Sequence, residues 1–114
     1  MNNLKNKVSL VGRLGNKPEL FNLQNGNTLT RFRIATNESY KNKQGEWVQQ
    51  TQWHNVNLWG KLAKQAEKLL EKGNEVFLEG KLVNRSYEGS NGEKRYSTHV
   101  EAFEFMLINR VVQE

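Results

Sequence analysis

A chain of 114 residues has material for one modest hydrophobic core and not for two, and with no Cys it can build neither a disulfide framework nor a thiolate metal site. Its 17 Lys and Arg outnumber 12 acidic residues, all Glu, and the resulting charge of +5 favours an anionic partner, of which nucleic acid is the commonest; a solvated Lys-rich surface with no ligand is the plainer reading of charge taken alone. Neither the segment Met1 to Lys7 nor any later run has the apolar length of a signal peptide or a membrane span, so a cytoplasmic protein with no membrane partner is expected.

In chain order, most of the sequence is short alternating runs separated by turn residues. Val8 to Gly12 has the apolar, β-branched character of a first strand, and Gly12, Gly15 and Pro18 punctuate the bend that follows. Phe21-Asn22-Leu23 reads as a short edge segment, and Asn25-Gly26 is a tight-turn signal leading into a second strand, Thr28 to Thr36. There Phe32 and Ile34 share one face and Arg31 and Arg33 the other, half core and half basic surface. Ser39 to Glu46 reads as a polar hairpin tip carrying Tyr40, Lys41 and Lys43. The third strand runs from about Val48 to Trp59. A single helix is predicted from Lys61 to Lys72, where Leu62, Ala66, Leu69 and Leu70 recur at helical spacing, Lys68 and Lys72 suit the negative end and Gly73 follows as a C-terminal cap. The fourth strand begins at Glu75, with Val76, Leu78 and Leu82 on one side, Gly80 permitting a bend, and a continuation to Arg85 and Tyr87. After the turn residues Glu88 to Gly92, a fifth strand runs from Tyr96 to Ile108; its alternation fails around Phe103 to Met106, which predicts a bulge or a change of packing partner.

The third strand is the most informative stretch. Successive side chains of an extended chain point to opposite sides, so His54, Val56 and Leu58 form one face and Trp53, Asn55, Asn57 and Trp59 the other. A core-facing surface does not normally put two amides between two indoles, because each buried amide needs partners. Flat apolar rings beside amide donors and acceptors suit a ligand that is itself flat, apolar on its faces and polar at its edges, as a nucleobase is. Trp in a small domain is usually core, but here the opposite face already supplies Val56 and Leu58.

Five strands with a helix between the third and fourth is the element order of an OB-fold, an all-β Greek-key barrel with one helix. Three stretches, VSLVGRLGNKPE (Val8 to Glu19), TQWHNVNLWGKLA (Thr51 to Ala63) and KGNEVFLEGKL (Lys72 to Leu82), resemble the bacterial single-stranded DNA-binding proteins over nearly the whole chain. The resemblance implies an OB-fold domain over residues 1–110 with a short end at 111–114. It also implies a nucleoid-associated homotetramer that binds single-stranded DNA without sequence preference in replication, recombination and repair. Carried over by matching motifs, the base-stacking positions fall on Tyr40, Trp53, Trp59 and Tyr87; Trp is usual in the family at Tyr40 and Tyr87, and Phe is common at Trp59. Trp47 matches no stacking position and is read as covering the base of the hairpin. Arg31, Arg33, Lys41, Lys43 and Arg85, with the amides of Asn55 and Asn57, are the candidate backbone and polar contacts. His54, which points with Val56 and Leu58, is read as a packed or subunit-contact residue. Family members usually end in a flexible linker and an acidic tip closing on Pro-Phe, through which partner proteins dock; this sequence ends Arg110-Val111-Val112-Gln113-Glu114, and tail-mediated partners are not expected.

Other chemistry finds little support. His54 and His99 are the only histidines, there is no Asp, and no HExxH or paired-His spacing occurs, so no metal, cofactor or catalytic residue is expected. Gly12-Arg13-Leu14-Gly15 matches neither the dinucleotide fingerprint nor a P-loop. The alternative from another class is an OB-fold adaptor, similar to primosome components, whose exposed aromatics bind a protein. The basic surplus beside the rings favours nucleic acid.

Overall fold

The structure, a computed structural model, describes residues 5–109, so the predicted end at 111–114 lies outside the described residues. The elements are β1 (Val8–Leu14), β2 (Glu19–Asn22), β3 (Thr28–Lys41), β4 (Trp47–Trp59), α1 (Gly60–Leu69), β5 (Glu75–Glu88) and β6 (Lys94–Asn109). The strands form one sheet in the order β1-β5-β6-β4-β3-β2. An additional pairing of Arg13 with Ala35 and Leu14 with Ile34 joins β1 back to β3 and closes β1, β5, β6, β4 and β3 into a five-stranded barrel. The short β2 hangs on the outer edge of β3, at the position of the edge segment expected around Phe21.

Alternation decides what fills the barrel. Phe32, Ile34, Val56, Leu58, Val76, Leu78 and Val100 point inward and are buried together with Leu14, Ala102 and the helix residues Ala63 and Ala66. The helix lies between β4 and β5 and packs on β3 and β4, and the buried Thr30 hydroxyl donates to the Ala63 carbonyl at 2.8 Å.

Three local readings need correction. The helix stops at Leu69, and Leu70 is already extended; Leu69 is exposed while Leu70 is buried. The next turn is held by one long-range and one local bond instead of a glycine cap: Gly73 N–H donates to the Leu14 carbonyl at 2.8 Å, and the Asn74 side chain accepts from Glu71 N–H at 2.8 Å. Leu82 keeps the side of Val76 and Leu78, opposite the buried Val100, but is exposed. The register with β6 slips between Glu79 and Gly80: Glu79 pairs with Glu104 and Gly80 with Ala102, leaving Phe103 as the extra residue on β6. This is the bulge expected from the broken alternation of the last strand. A Cβ at Gly80 would collide with the Glu101 carbonyl and come within 2.8 Å of Ala102 Cα, so only glycine permits the approach. Finally, Ser39 to Lys41 belong to β3, and the hairpin tip is confined to Asn42 to Glu46.

The strand pairs β3–β4 and β5–β6 run on past the barrel as two long arms. Each is pinned across its strands by a threonine–asparagine hydrogen bond, Thr51 to Asn37 at 2.8 Å and Thr98 to Asn84 at 2.7 Å.

Candidate nucleic-acid interface

The outer face of β3 and β4 is read directly from their register, which is unbroken from Leu29 opposite Trp59 to Lys41 opposite Trp47. Residues that alternate with the core strand positions form it: Arg31 and Arg33 on β3, and Trp53, Asn55, Asn57 and Trp59 on β4. Between this face, the β1–β2 loop and the base of the β5–β6 arm lies a cleft of about 500 Å³. Six of the residues predicted from sequence line it together: Arg31, Arg33, Trp53, Asn55, Asn57 and Arg85.

Trp53 is the best defined of these. Its indole is 50% exposed, and the Arg33 guanidinium lies over the ring, 4.6 Å from the centroid. Arg33 is diagonal to Trp53 across the strands, since Trp53 faces Ala35 and Arg33 faces Asn55, and that diagonal is within reach of a long side chain. Gly15 lies against the benzo edge of the ring: a Cβ there would lie 2.5 Å from Cζ3 and 2.9 Å from Cη2. The loop holds that position because Gly15 N–H donates to the Arg33 carbonyl at 2.8 Å, and the Asn16 side chain accepts from Arg33 N–H at 3.0 Å. One residue of β3 therefore clamps the loop with its backbone and meets the indole with its side chain.

Deeper in the cleft, Asn57 is only 7% exposed, so it is a floor residue and not part of an open amide surface. Arg31 and Glu101 are its register partners on either side. His99, 8% exposed, also lines the cleft; its Nε2 is 3.7 Å from Glu101 and has no hydrogen-bond partner among the described residues.

The remaining predicted residues lie away from the cleft. Tyr87 follows the cleft residue Arg85 on the same face of β5, opposite Arg95, which takes it outward along the second arm, half-exposed. Trp59 is half-buried on the Trp53 face at the helix end of β4. Lys41 and Lys43 belong to the first arm and its tip. Tyr40 lies opposite Val48, on the side that carries Phe32, Ile34 and His54, so it faces away from Trp53. His54 accompanies it there, half-buried, with Nε2 3.0 Å from the Thr36 hydroxyl.

Sequence reasoning passed over Gly15, Asn16, Ser97, Thr98 and His99 as cleft residues, because they come from a loop and a distant hairpin that only barrel closure brings to β4. It also passed over Tyr96, 71% exposed on the opposite face of the β5–β6 arm from Tyr87, where strand alternation was the available signal. Trp47 does not cover the hairpin base: it is 70% exposed. No helix among the described residues is long and apolar enough to cross a membrane, and no cluster of three metal-ligating side chains occurs among them.

Residues 5–108 match the family model described as the Single-strand binding protein family. The chain belongs to that family. Among its relatives are the single-stranded DNA-binding proteins of two Neisseria meningitidis strains, Z2491 and MC58, each 39% identical over 103 residues. The match takes in 90% of this chain and 59% of theirs, so the chain spans about three-fifths of the length of these relatives. Solved structures also share the fold. A Plasmodium falciparum SSB in complex with single-stranded DNA superposes with a TM-score of 0.85 at 25% identity, over 91% of this chain and 95% of that one. A deletion mutant of the single-stranded DNA-binding protein from Thermus aquaticus gives 0.82 at 29% identity, over 91% and 50%.

Proposed function

We propose that the protein binds and protects single-stranded DNA without sequence preference, as a cytoplasmic component of replication, recombination and repair. The carrying observation is the half-exposed Trp53 indole beneath Arg33, at a cleft also lined by Arg31, Arg85, Asn55 and Asn57. A ring face is common to all bases, so stacking tolerates any sequence, and arginines beside it neutralise phosphates. Trp53 and Trp59 stack bases on one face of β4, while Tyr40 and Tyr87 engage the strand where it passes round the two arms. Lys41 and Lys43 act as phosphate contacts at the first arm. The names and single-stranded DNA complex of the relatives support this reading, and the basic surplus favours it over a protein-binding adaptor. Titration with oligo(dT) tests it: tryptophan fluorescence is quenched, and log K falls with log salt by about 0.7 per neutralised phosphate. Binding without salt dependence, or a preference for duplex, refutes it.

We also propose a homotetramer. Val11, Phe77 and Met106 are register partners across β1, β5 and β6 and form an apolar row on the outside of the barrel, with Val11 and Met106 exposed. His54 is proposed as a further subunit contact. Several linked sites on one strand raise the effective concentration of each successive contact, which suits a domain of 13.3 kDa. Light scattering reporting a monomer at micromolar concentration overturns this part alone.

A further inference from the structure

The chain contains three tryptophans, and all three lie on β4, at positions 47, 53 and 59. The interval is six residues each time. Because six is even, an extended strand presents all three rings on one side, and the unbroken register against β3 leaves no bulge that would turn one of them over. At about 3.4 Å per residue the rings are spaced roughly 20 Å apart along the strand. The side chains between them on that face are Gln49, Thr51, Asn55 and Asn57, polar groups without charge. Solvent exposure grows outward, from the half-buried Trp59 through Trp53 at 50% to Trp47 at 70%.

Trp47 also has a cation beside it. It lies directly opposite Lys41, whose ammonium is 5.8 Å from the ring centroid. The tip just beyond is fixed by Asn42, whose side-chain oxygen accepts from Gln44 N–H at 3.0 Å and Glu46 N–H at 2.9 Å. A large ring that packs little against its own chain, aligned with the Trp53 platform and paired with a cation, repeats on the arm the indole-and-cation arrangement of Trp53 with Arg33.

We propose that Trp47 is a further base-stacking position of this chain, with Lys41 as the phosphate contact beside it. The proposal rests on the single-stranded DNA reading and extends it: the track on one protomer lengthens from about 20 Å between Trp59 and Trp53 to about 40 Å, out along the first arm.

Two single-tryptophan reporters test it. Trp53→Phe with Trp59→Phe leaves Trp47 as the sole indole, and Trp47→Phe with Trp59→Phe leaves Trp53. Both are titrated with oligo(dT), and both are expected to be quenched over the same concentration range. Independently, Trp47→Ala in the otherwise unaltered chain should weaken oligo(dT) binding about five- to tenfold, the lower part of the range for one stacked base, with its unfolding midpoint unchanged because the ring is mostly in water. This variant keeps the test open if a reporter fails to fold. Quenching of the Trp53 reporter alone, with Trp47→Ala binding as wild type, overturns the proposal and leaves the function standing. A loss of oligomer mass in Trp47→Ala with unchanged DNA affinity also overturns it, by making the ring a subunit contact. Quenching of neither reporter overturns both the proposal and the function on which it rests.

Discussion

Gly15→Ala is the most discriminating single change at the cleft, because it adds one methyl group at the edge of Trp53 and touches little else. The new Cβ would lie 2.5 Å from Cζ3 and 2.9 Å from Cη2, whereas carbon atoms normally meet at about 3.5–4.0 Å, so the ring must withdraw by about 1 Å. In a rigid core such overpacking costs about 1–3 kcal/mol. Here the indole is 50% exposed and can turn towards solvent, forfeiting mainly its contact with Arg33, about 0.5–1 kcal/mol at an exposed site. Gly15 is not among the positive-φ glycines, so alanine is sterically allowed on the backbone, and restricting the unfolded chain offsets about 0.4–1 kcal/mol. The net change in fold stability should therefore stay within about 1 kcal/mol, or no more than about 4–8 °C in the unfolding midpoint. The proposed stacking platform is nevertheless displaced, and oligo(dT) affinity should fall by about 1–2 kcal/mol, roughly five- to thirtyfold. Thermal unfolding by circular dichroism and a fluorescence titration measure the two quantities separately. A midpoint lowered by well over 10 °C with affinity unchanged would refute the reasoning, because Trp53 would then be a packing residue held firmly in place.

Three further predictions follow from the two faces of the barrel wall. Trp53→Ala should weaken oligo(dT) binding about five- to a hundredfold with a modest loss of stability, whereas Leu58→Ala, fully buried, should cost about 2–5 kcal/mol of stability while the folded protein binds normally; equal unfolding of the two variants would mean that the faces are reversed. Gly80→Ala should be strongly destabilising, since its Cβ meets the Glu101 carbonyl and the Ala102 backbone across the β5–β6 bulge, and denaturant unfolding close to wild type would contradict the close approach. Lys7, 2.9 Å from Glu79, holds that carboxyl below the usual range, assisted by the Ser9 hydroxyl against the opposing effect of burial. A carboxylate whose pKa is lower folded than unfolded stabilises the fold above the unfolded value and loses that contribution as pH falls through the folded one. The stability difference between wild type and Lys7→Gln should thus be present at neutral pH and shrink in acid, and a difference independent of pH would refute the assignment.

Much of the fold was legible because its signals are local. Strand alternation depends only on chain geometry, so it separated Val56 and Leu58 from Trp53 and Asn55 without knowledge of any partner, and the broken alternation near Phe103 announced a bulge. What alternation cannot give is what lies across from a face. Asn57 has the same parity as Asn55, but it sits on the cleft floor because β6 runs parallel beside it at Glu101. Tyr40 matches a stacking position by motif, yet continuous pairing through Val48 carries it to the side of His54. The helix gave up its last predicted turn to hydrogen bonds with Leu14 and Asn74, which lie outside it in sequence. The cleft itself is the clearest case: Gly15, Arg33 and Trp53 come from a loop and two strands, and His99 and Arg85 from a hairpin later in the chain. The sequence determined which side chains each strand could offer. Only closure of β1 onto β3, and of β6 onto β4, decided which of them meet, because those contacts depend on register between segments that no local pattern links.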